Sequence, residues 1–310
     1  CVDAREFRFA QTCGQKVIVE TGELPGVIEY YERPGYFFEA IELVESGLGL
    51  ERANPQMFTE LGVLLTKYRE SQMMDFCKMW WQRASIPRLL QACEQAMLWA
   101  EKCYLHQQYN EHDLAIGVMI DHAPDAWNPS TFTDVISKVG TMSVMYDAID
   151  FYVQEHPELL NDLLFVIAPK CEATTAMTKL RDAKPELGPL GVLPLCKAFL
   201  RKVQDRDVSA LNEALNDVLI LEENVEELSE STTNFKNFEH MKLARKLETH
   251  AVLEMRKIAV DLYKRVGKYE EAIELCKKDK LYKDAINVVA ASKDQELTEA
   301  LAEYFLSEKL

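Results

Sequence analysis

The sequence predicts an all-α fold, a right-handed superhelical α-solenoid of stacked helical hairpins. The first observation is a pattern that reads aromatic, three residues, Gly, four residues and Ala-Ile-Glu-Leu, found at residues 31–43 and 263–275. The second is that apolar residues recur at spacings of three and four, as on one face of a helix. The third is that prolines and glycines fall between these periodic stretches. Such self-similarity is typical of helical repeat arrays, which usually bind partners or form scaffolds and seldom catalyse reactions.

Weaker copies of the pattern end at Ala115-Ile116, Ala148-Ile149 and Ala285-Ile286. A turn residue such as Gly ends one helix, and the small Ala lets the next helix pack closely against it. We therefore expect each Ala of the pattern to be buried where two helices meet.

Prolines and polar caps mark where individual helices begin. Asn54-Pro55 and Asn128-Pro129 are typical of an N-cap followed by a first-turn proline, and Ser85-Ile86-Pro87 is similar. Residues 13–20, with Val17-Ile18-Val19, are locally strand-like. A lone strand has no partner, so we expect an extended linker or a frayed helix there.

The segment 184–194 holds three prolines and two glycines, so it cannot form one regular helix. We expect residues 184–191 to be an exposed loop inserted between helices. The chain divides into two blocks, residues 15–161 and 164–310, preceded by residues 1–14 as the end of an earlier repeat, and the Pro/Gly segment lies within the second block. No Ser/Gly-rich linker joins them, which favours a continuous stack.

Composition narrows the functional classes. The chain has 310 residues, 48% of them hydrophobic, and a formal net charge of −16. This acidity disfavours nucleic acid and anionic membranes as partners, and no apolar run approaches the ~20 residues that cross a bilayer. The chain begins with Cys1 rather than Met and shows no signal-peptide pattern, so we expect a piece of a longer protein.

The eight cysteines contain no Cys-x-x-Cys pair, so the sequence predicts neither a zinc site nor a redox motif. Most lie in apolar helical patterns, and we expect small buried hydrophobes in a reduced, cytosolic protein.

One group of residues allows an enzymatic alternative. Paired His and Asp side chains on neighbouring helices can hold two metal ions for phosphoester hydrolysis, and the candidates are His106, His112-Asp113 and Asp121-His122. The competing interpretation is that they are polar helix ends, where a His is favoured by the helix dipole. The sequence has no Gly-x-Ser-x-Gly, phosphate-binding Gly-rich loop or His-Glu-x-x-His motif. We therefore expect no catalysis, no cofactor and no metal.

Three other features bear on partners. Trp80 and Trp81 are adjacent, so on a helix they diverge by about 100°, and we expect one in the core and one at a seam. Lys67-Tyr68-Arg69 is a small basic spot on an acidic chain, where an acidic partner has few other places to bind. The acidic stretch 222–227 is interpreted as a solvated helix and its loop.

Several longer stretches resemble the clathrin heavy chain family. They are Gly47-Leu48-Gly49-Leu50-Glu51-Arg52-Ala53, Met57-Phe58-Thr59-Glu60-Leu61, Asp125-Ala126-Trp127, Leu159-Leu160-Asn161-Asp162-Leu163-Leu164, residues 275–285, Ser292-Lys293-Asp294, Glu296-Leu297 and Phe305-Leu306. The resemblance runs from about Phe7 to the end. It implies a proximal-leg fragment with two clathrin heavy chain repeats, a structural part of the triskelion that forms the coat of coated vesicles.

The resemblance also implies partners and a location. The family's proximal leg binds the clathrin light chain and packs against other heavy chains, which trimerise in the full-length protein, on the cytoplasmic face of coated pits and vesicles. One family lysine for the light chain falls at Lys67, beside Arg69, and is kept. The second falls at His156, which supplies little charge when neutral. We therefore expect Lys67, Arg69 and His156 to form the light-chain site, without direct membrane insertion. A scaffold of the vacuolar tethering type, which shares the repeat, is the other alternative.

Overall fold

The computed structural model describes residues 2–20 and 22–308, and within these ranges the chain forms helices and loops but no β-strand. The chain divides into two compact units, Cys1–Phe151 and Tyr152–Leu310. No helix in the described ranges has the length and apolar character needed to cross a membrane. The prediction of an all-α fold is confirmed.

Among the described residues, eleven α-helices begin in the first unit, and the last of them continues into the second. They are α1 (Phe7–Ile18), α2 (Leu24–Glu32), α3 (Phe37–Leu48), α4 (Pro55–Tyr68), α5 (Met73–Trp80), α6 (Ile86–Gln95), α7 (Trp99–Gln108), α8 (His112–Asp121), α9 (Ala123–Ala126), α10 (Pro129–Ile136) and α11 (Met142–Glu155).

The second unit continues in the same manner, with short 3₁₀ turns at several of its joints. Its helices are α12 (Leu160–Ile167), α13 (Ala173–Asp182), α14 (Lys197–Val203), α15 (Ser209–Leu221), α16 (Val225–Asn234), α17 (His240–Leu247), α18 (Leu253–Arg265), α19 (Tyr269–Lys278), α20 (Tyr282–Ser292) and α21 (Gln295–Glu308). Within each unit a helix packs on helices one or two places away in the chain, as α7 does on α6 and α8, and α1 on α3. This is the nearest-neighbour packing of a helical repeat array.

The joints between many hairpin helices share one backbone motif. One residue adopts a positive φ and donates its N–H to the carbonyl three residues back, and the next residue donates its N–H to the carbonyl five residues back. At the joint after α18, Gly267 has φ 78° and its N–H donates to the Lys264 carbonyl at 3.2 Å. The Lys268 N–H donates to the Tyr263 carbonyl at 2.9 Å. This is the Schellman C-cap, and the next helix begins at once, at Tyr269. The positive-φ positions of this type are Gly35, Met97, Asn110, Glu223, Gly267 and Lys280.

The Ala-Ile pattern is explained by this joint. Ala40, Ala115, Ala272 and Ala285 are each the fourth residue of their helix, and each is at most 1% exposed. Four of the five isoleucines that follow an Ala of the pattern are also buried, whereas Ile286 is 53% exposed. The expectation of close helix contact at the Ala is confirmed.

The cap predictions hold in two cases of three. The Asn54 side chain accepts a hydrogen bond from the Met57 N–H at 3.2 Å, and Asn128 caps α10 in the same way. Ser85 precedes α6 without a side-chain cap bond. The extended conformation considered for residues 13–20 is wrong, because α1 continues through Ile18, which is fully buried.

The Pro/Gly segment is only partly the exposed loop that the sequence predicts. Residues 185–187 form an exposed 3₁₀ turn, but Gly191 is buried with φ 53°. A Cβ on Gly191 would lie 2.3 Å from the carbonyl oxygen of Arg181, and the Val192 N–H donates to the Leu180 carbonyl at 3.0 Å. The end of the segment therefore packs on the C-terminus of α13.

Candidate partner-binding groove at Lys67

The basic spot lies where α4 ends. Arg69 leaves helical geometry (φ −143°, ψ 58°), although its N–H still bonds the Leu65 carbonyl at 2.9 Å. The 3₁₀ turn Glu70–Gln72 follows and leads into α5. Lys67 and Arg69 thus lie beside the last carbonyls of α4, where the helix dipole favours positive charge.

Lys67 lines an open groove between α4 and α6. The lining residues are Val63, Thr66, Lys67, Tyr68 and Glu70 on the α4 side and Ala92, Gln95 and Ala96 on the α6 side. On the α6 side, Ala92 and Ala96 have small side chains that project little into the groove. Tyr68 is fixed by stacking on Phe37, with ring centroids 4.1 Å apart and an interplanar angle of 13°. The lining is therefore mixed, with Val63, Ala92 and Ala96 as its apolar residues and Lys67 and Glu70 as its charged ones.

Lys67 is not the free cation that the sequence suggests. Its Nζ lies 3.5 Å from Glu32 Oε1, and the Lys67 side chain is 51% exposed. The Tyr68 hydroxyl donates to the same Glu32 oxygen at 3.0 Å. Burial, and then this hydrogen bond, raises the pKa of Tyr68 above its ordinary value. The phenol is therefore neutral and remains a donor at physiological pH.

Arg69 is held in a similar way by the neighbouring helix α3. Its guanidinium lies 4.0 Å from Glu42 Oε1 and 5.1 Å from the centroid of Phe38, whose ring is 52% exposed. Cation–π contacts of this kind contribute roughly 0.5–1 kcal/mol at exposed sites. Lys67 and Arg69 are thus both matched with a carboxylate from the α2–α3 hairpin.

His156 belongs to the second unit and is not part of this groove. It has almost the same backbone conformation as Arg69 (φ −137°, ψ 53°), it follows the last residue of α11, and the 3₁₀ turn Pro157–Leu159 comes next. Its Nδ1 lies 3.5 Å from Glu158 Oε1. His156 therefore occupies, after α11, the position that Arg69 occupies after α4.

The tryptophan expectation is wrong in one respect. Trp80 and Trp81 are both half-buried and both pack against the core of the first unit, so neither is fully internal. Trp80 lies 5.2 Å from Phe58, centroid to centroid. Neither indole is among the side chains that line the groove.

Of the five His and Asp residues of the enzymatic alternative, His106, Asp113 and Asp121 line one open pocket between α6, α7 and α8, but three of the five have separate partners within the chain. His106 Nδ1 lies 2.8 Å from Glu111 Oε2, the His122 ring stacks on Trp99 at 3.4 Å, and Thr141 Oγ1 donates to Asp113 at 2.5 Å. Among the residues that the structure describes, no three His, Cys, Asp or Glu side chains are grouped so that they could hold a metal ion.

The acidic stretch 222–227 is a helix joint whose carboxylates bind neighbouring cations. Glu222 pairs with Lys197, and Glu227 pairs with Lys197 and Arg201 of α14. Burial alone would raise the pKa of Glu227, but these cations outweigh it and hold that pKa below its ordinary value. Glu222, Glu223 and Glu226 are exposed, as the sequence predicts, whereas Glu227 is half-buried.

Most cysteines have the expected environment. Cys77, Cys93, Cys103, Cys196 and Cys276 are buried, whereas Cys13 is exposed. Burial raises the pKa of Cys93 and of Cys196 to about 12, so these thiols stay protonated at physiological pH. Cys1 lies outside the described residues.

Sequence reasoning missed the two carboxylates that neutralise the spot. Glu32 and Glu42 lie 35 and 27 residues before the cations they meet, on other helices, so no local spacing relates them. The sequence offered one indirect indication of these acids, which is that both lie in the first copy of the repeated pattern, residues 31–43.

A family sequence model and individual relatives of this chain both name clathrin. The sequence model of the family "Clathrin: Region in Clathrin and VPS" matches residues 16–160 and 190–310. Clathrin heavy chain 1 of Oryza sativa subsp. japonica is 45% identical over 99% of this chain, the clathrin heavy chain of Drosophila melanogaster is also 45% identical over 99%, and that of Dictyostelium discoideum is 44% identical over 100%.

The chain spans 18% of the length of each of these relatives. Among solved structures, one of Naa15/Naa10 bound to HypK-THB aligns with 90% of this chain and 54% of its own at 13% identity, but its TM-score of 0.19 is too low to support an argument. The family model covers most of the chain in two stretches, and the named relatives align with nearly all of it. The chain therefore belongs to the clathrin heavy chain family and carries the repeat that clathrin shares with VPS proteins.

Proposed function

We propose that this chain is a structural scaffold segment of a clathrin coat, the proximal leg of the heavy chain. The observation that carries the proposal is the alignment of 99% of the chain with clathrin heavy chains at 45% identity. A leg of this kind acts in vesicle-mediated transport, on the cytoplasmic face of coated pits and coated vesicles. The predicted repeat boundaries, residues 15–161 and 164–310, remain part of this proposal.

The packing of the helices supports a scaffold role. Each helix is held by helices one or two places away in the chain, so stiffness arises from many local helix–helix interfaces along the array. A leg built in this way keeps its shape while it makes many weak contacts with other heavy chains. Multivalency then makes a coat stable although each contact is reversible.

The proposed partner at the groove is a helix of the clathrin light chain. Apolar anchors on such a helix fit between α4 and α6, and an acidic side chain meets Lys67. Arg69 contributes a second positive charge next to the groove. His156, at the equivalent position after α11, is a second and weaker contact, since a neutral imidazole adds little attraction.

Titration of labelled light chain against the full-length heavy chain tests the site. We expect Lys67→Glu to weaken binding about tenfold or more and to leave the melting temperature unchanged, because a half-exposed surface charge contributes little to stability. His156→Lys should strengthen binding if the light chain carries an acid there. Equal affinities of the wild type and Lys67→Glu would refute this site, though not the family.

The alternative scaffold, of the vacuolar tethering type, is supported only by the wider scope of the family model, which includes VPS proteins. Purification of the full-length protein from its source cell distinguishes the two. Recovery of a small acidic helical subunit together with clathrin adaptors supports the coat assignment, whereas recovery of tethering subunits would replace it.

A further inference from the structure

Glu32 is the last residue of α2, and its carboxylate meets two side chains of the groove. Oε1 accepts a hydrogen bond from the Tyr68 hydroxyl at 3.0 Å and lies 3.5 Å from Lys67 Nζ. The Glu32 side chain is 25% exposed and the Lys67 side chain 51% exposed. The charge that the proposed partner would use is therefore already matched by an acid of the same chain.

We propose that Glu32 is a specificity-determining residue of the Lys67 groove, an internal anion that occupies Lys67 until an acidic side chain of the partner helix displaces it. This inference rests on the proposed function, in which an acid of the light chain meets Lys67. It adds that the affinity reflects a competition between two carboxylates for one ammonium group.

The geometry suits an exchange. The contact of 3.5 Å is longer than the 2.7–2.9 Å typical of a charge-assisted hydrogen bond, so Lys67 is attracted to Glu32 without being locked to it. When Lys67 turns away, Glu32 keeps the hydrogen bond from Tyr68, whose ring is fixed against Phe37. The displaced carboxylate is not left without a partner, which keeps the cost of displacement low.

Arg69 shows the same arrangement in a looser form, since Glu42 Oε1 lies 4.0 Å from its guanidinium. The α2–α3 hairpin thus supplies one acid for each cation beside the groove. A weak or isolated anion gains little by replacing a carboxylate that is already present. A partner helix succeeds because its apolar anchors add to the exchange, and this favours the correct partner over other acidic proteins.

The test is a double-mutant cycle on the full-length heavy chain freed of light chain, titrated with labelled light chain. We expect Glu32→Gln to tighten binding about two- to fivefold, the range of a surface ion pair. The gain should shrink as the salt concentration rises. In a Lys67→Gln background the same change should give no gain, because the ammonium group for which the acids compete is absent.

Glu29→Gln is the matched control. Glu29 lies on the same helix but pairs with Arg33 at 2.8 Å, whereas Lys67 pairs with Glu32, so Glu29→Gln removes an equal charge without freeing Lys67. If Glu29→Gln tightens light-chain binding as much as Glu32→Gln does, the tighter binding is a general effect of net charge and the inference is overturned.

The two proposals fail in different ways. If Lys67→Glu weakens binding but Glu32→Gln leaves it unchanged or weaker, only the role of Glu32 is wrong. If Lys67→Glu has no effect, the site itself and the inference built on it both fall. Circular dichroism and the melting temperature of each variant confirm that the fold is retained.

Discussion

Reciprocal substitutions at two helix joints should change stability in opposite directions. Gly267 and Lys280 both follow a helix, both have positive φ (78° and 60°), and both donate the same Schellman hydrogen bond. Both are exposed, and a Cβ placed on Gly267 would find nothing within 4 Å. Packing therefore plays little part at either position. The exchanges Gly267→Ala and Lys280→Gly isolate the cost of the left-handed backbone.

The magnitude follows from two opposing effects. A residue with a Cβ in the left-handed region costs about 1–2 kcal/mol, while replacing Gly lowers the entropy of the unfolded chain and recovers about 0.4–1 kcal/mol. We expect Gly267→Ala to destabilise the second unit by about 1 kcal/mol. Lys280→Gly reverses both effects and should stabilise the same unit by about 0.5–1 kcal/mol.

Urea unfolding followed by circular dichroism measures both changes, with hydrogen exchange over α18–α20 as the local readout. The midpoints should move in opposite directions by a few tenths of a molar unit at equal slope. Gly117→Ala is the control, because Gly117 lies inside α8 with open space around it and should gain about 0.5–1 kcal/mol from helix propensity. Shifts of the same sign for Gly267→Ala and Lys280→Gly would refute the reasoning.

Three further predictions follow from the packing and charges of the described residues. Ala272→Leu should lower stability by about 1–3 kcal/mol, because Ala272 is fully buried; an unchanged melting temperature would contradict this. Deleting residues 186–189 should leave helicity intact, whereas Gly191→Ala should lower the melting temperature, because the added Cβ would meet backbone oxygens. Equal changes in melting temperature for the two variants would show that the whole loop packs on the fold. The fold lowers the pKa of Glu227, so the stability that its carboxylate contributes is present above its ordinary unfolded pKa near 4.5. That stability is lost as the pH falls through the lower folded pKa. In acid titrations, Glu227→Gln should therefore lose less free energy of unfolding over this range than the wild type does.

The groove shows how far sequence reasoning reached at the candidate site. Lys67 and Arg69 were found because they are neighbours in a short basic run, and the structure places them together beside the end of α4. Their acids were not found, because Glu32 and Glu42 come from an earlier hairpin and meet them only through packing. His156 was found by resemblance, and its equivalence to Arg69 became visible only in the backbone angles.

The sequence by itself determined the all-α class, the Ala-Ile joints and the Gly turns, because helical periodicity, small residues and positive φ are local demands that specific residue types satisfy. It could not reveal the same turn at Met97, Asn110, Glu223 and Lys280, where the hydrogen bonds of the joint hold a less suitable residue in place. Only the tertiary structure decided that Gly191 is buried, that Ile286 is exposed and that Lys67 is paired. These depend on which helices come to lie side by side, and contacts between residues far apart in the chain leave no local pattern.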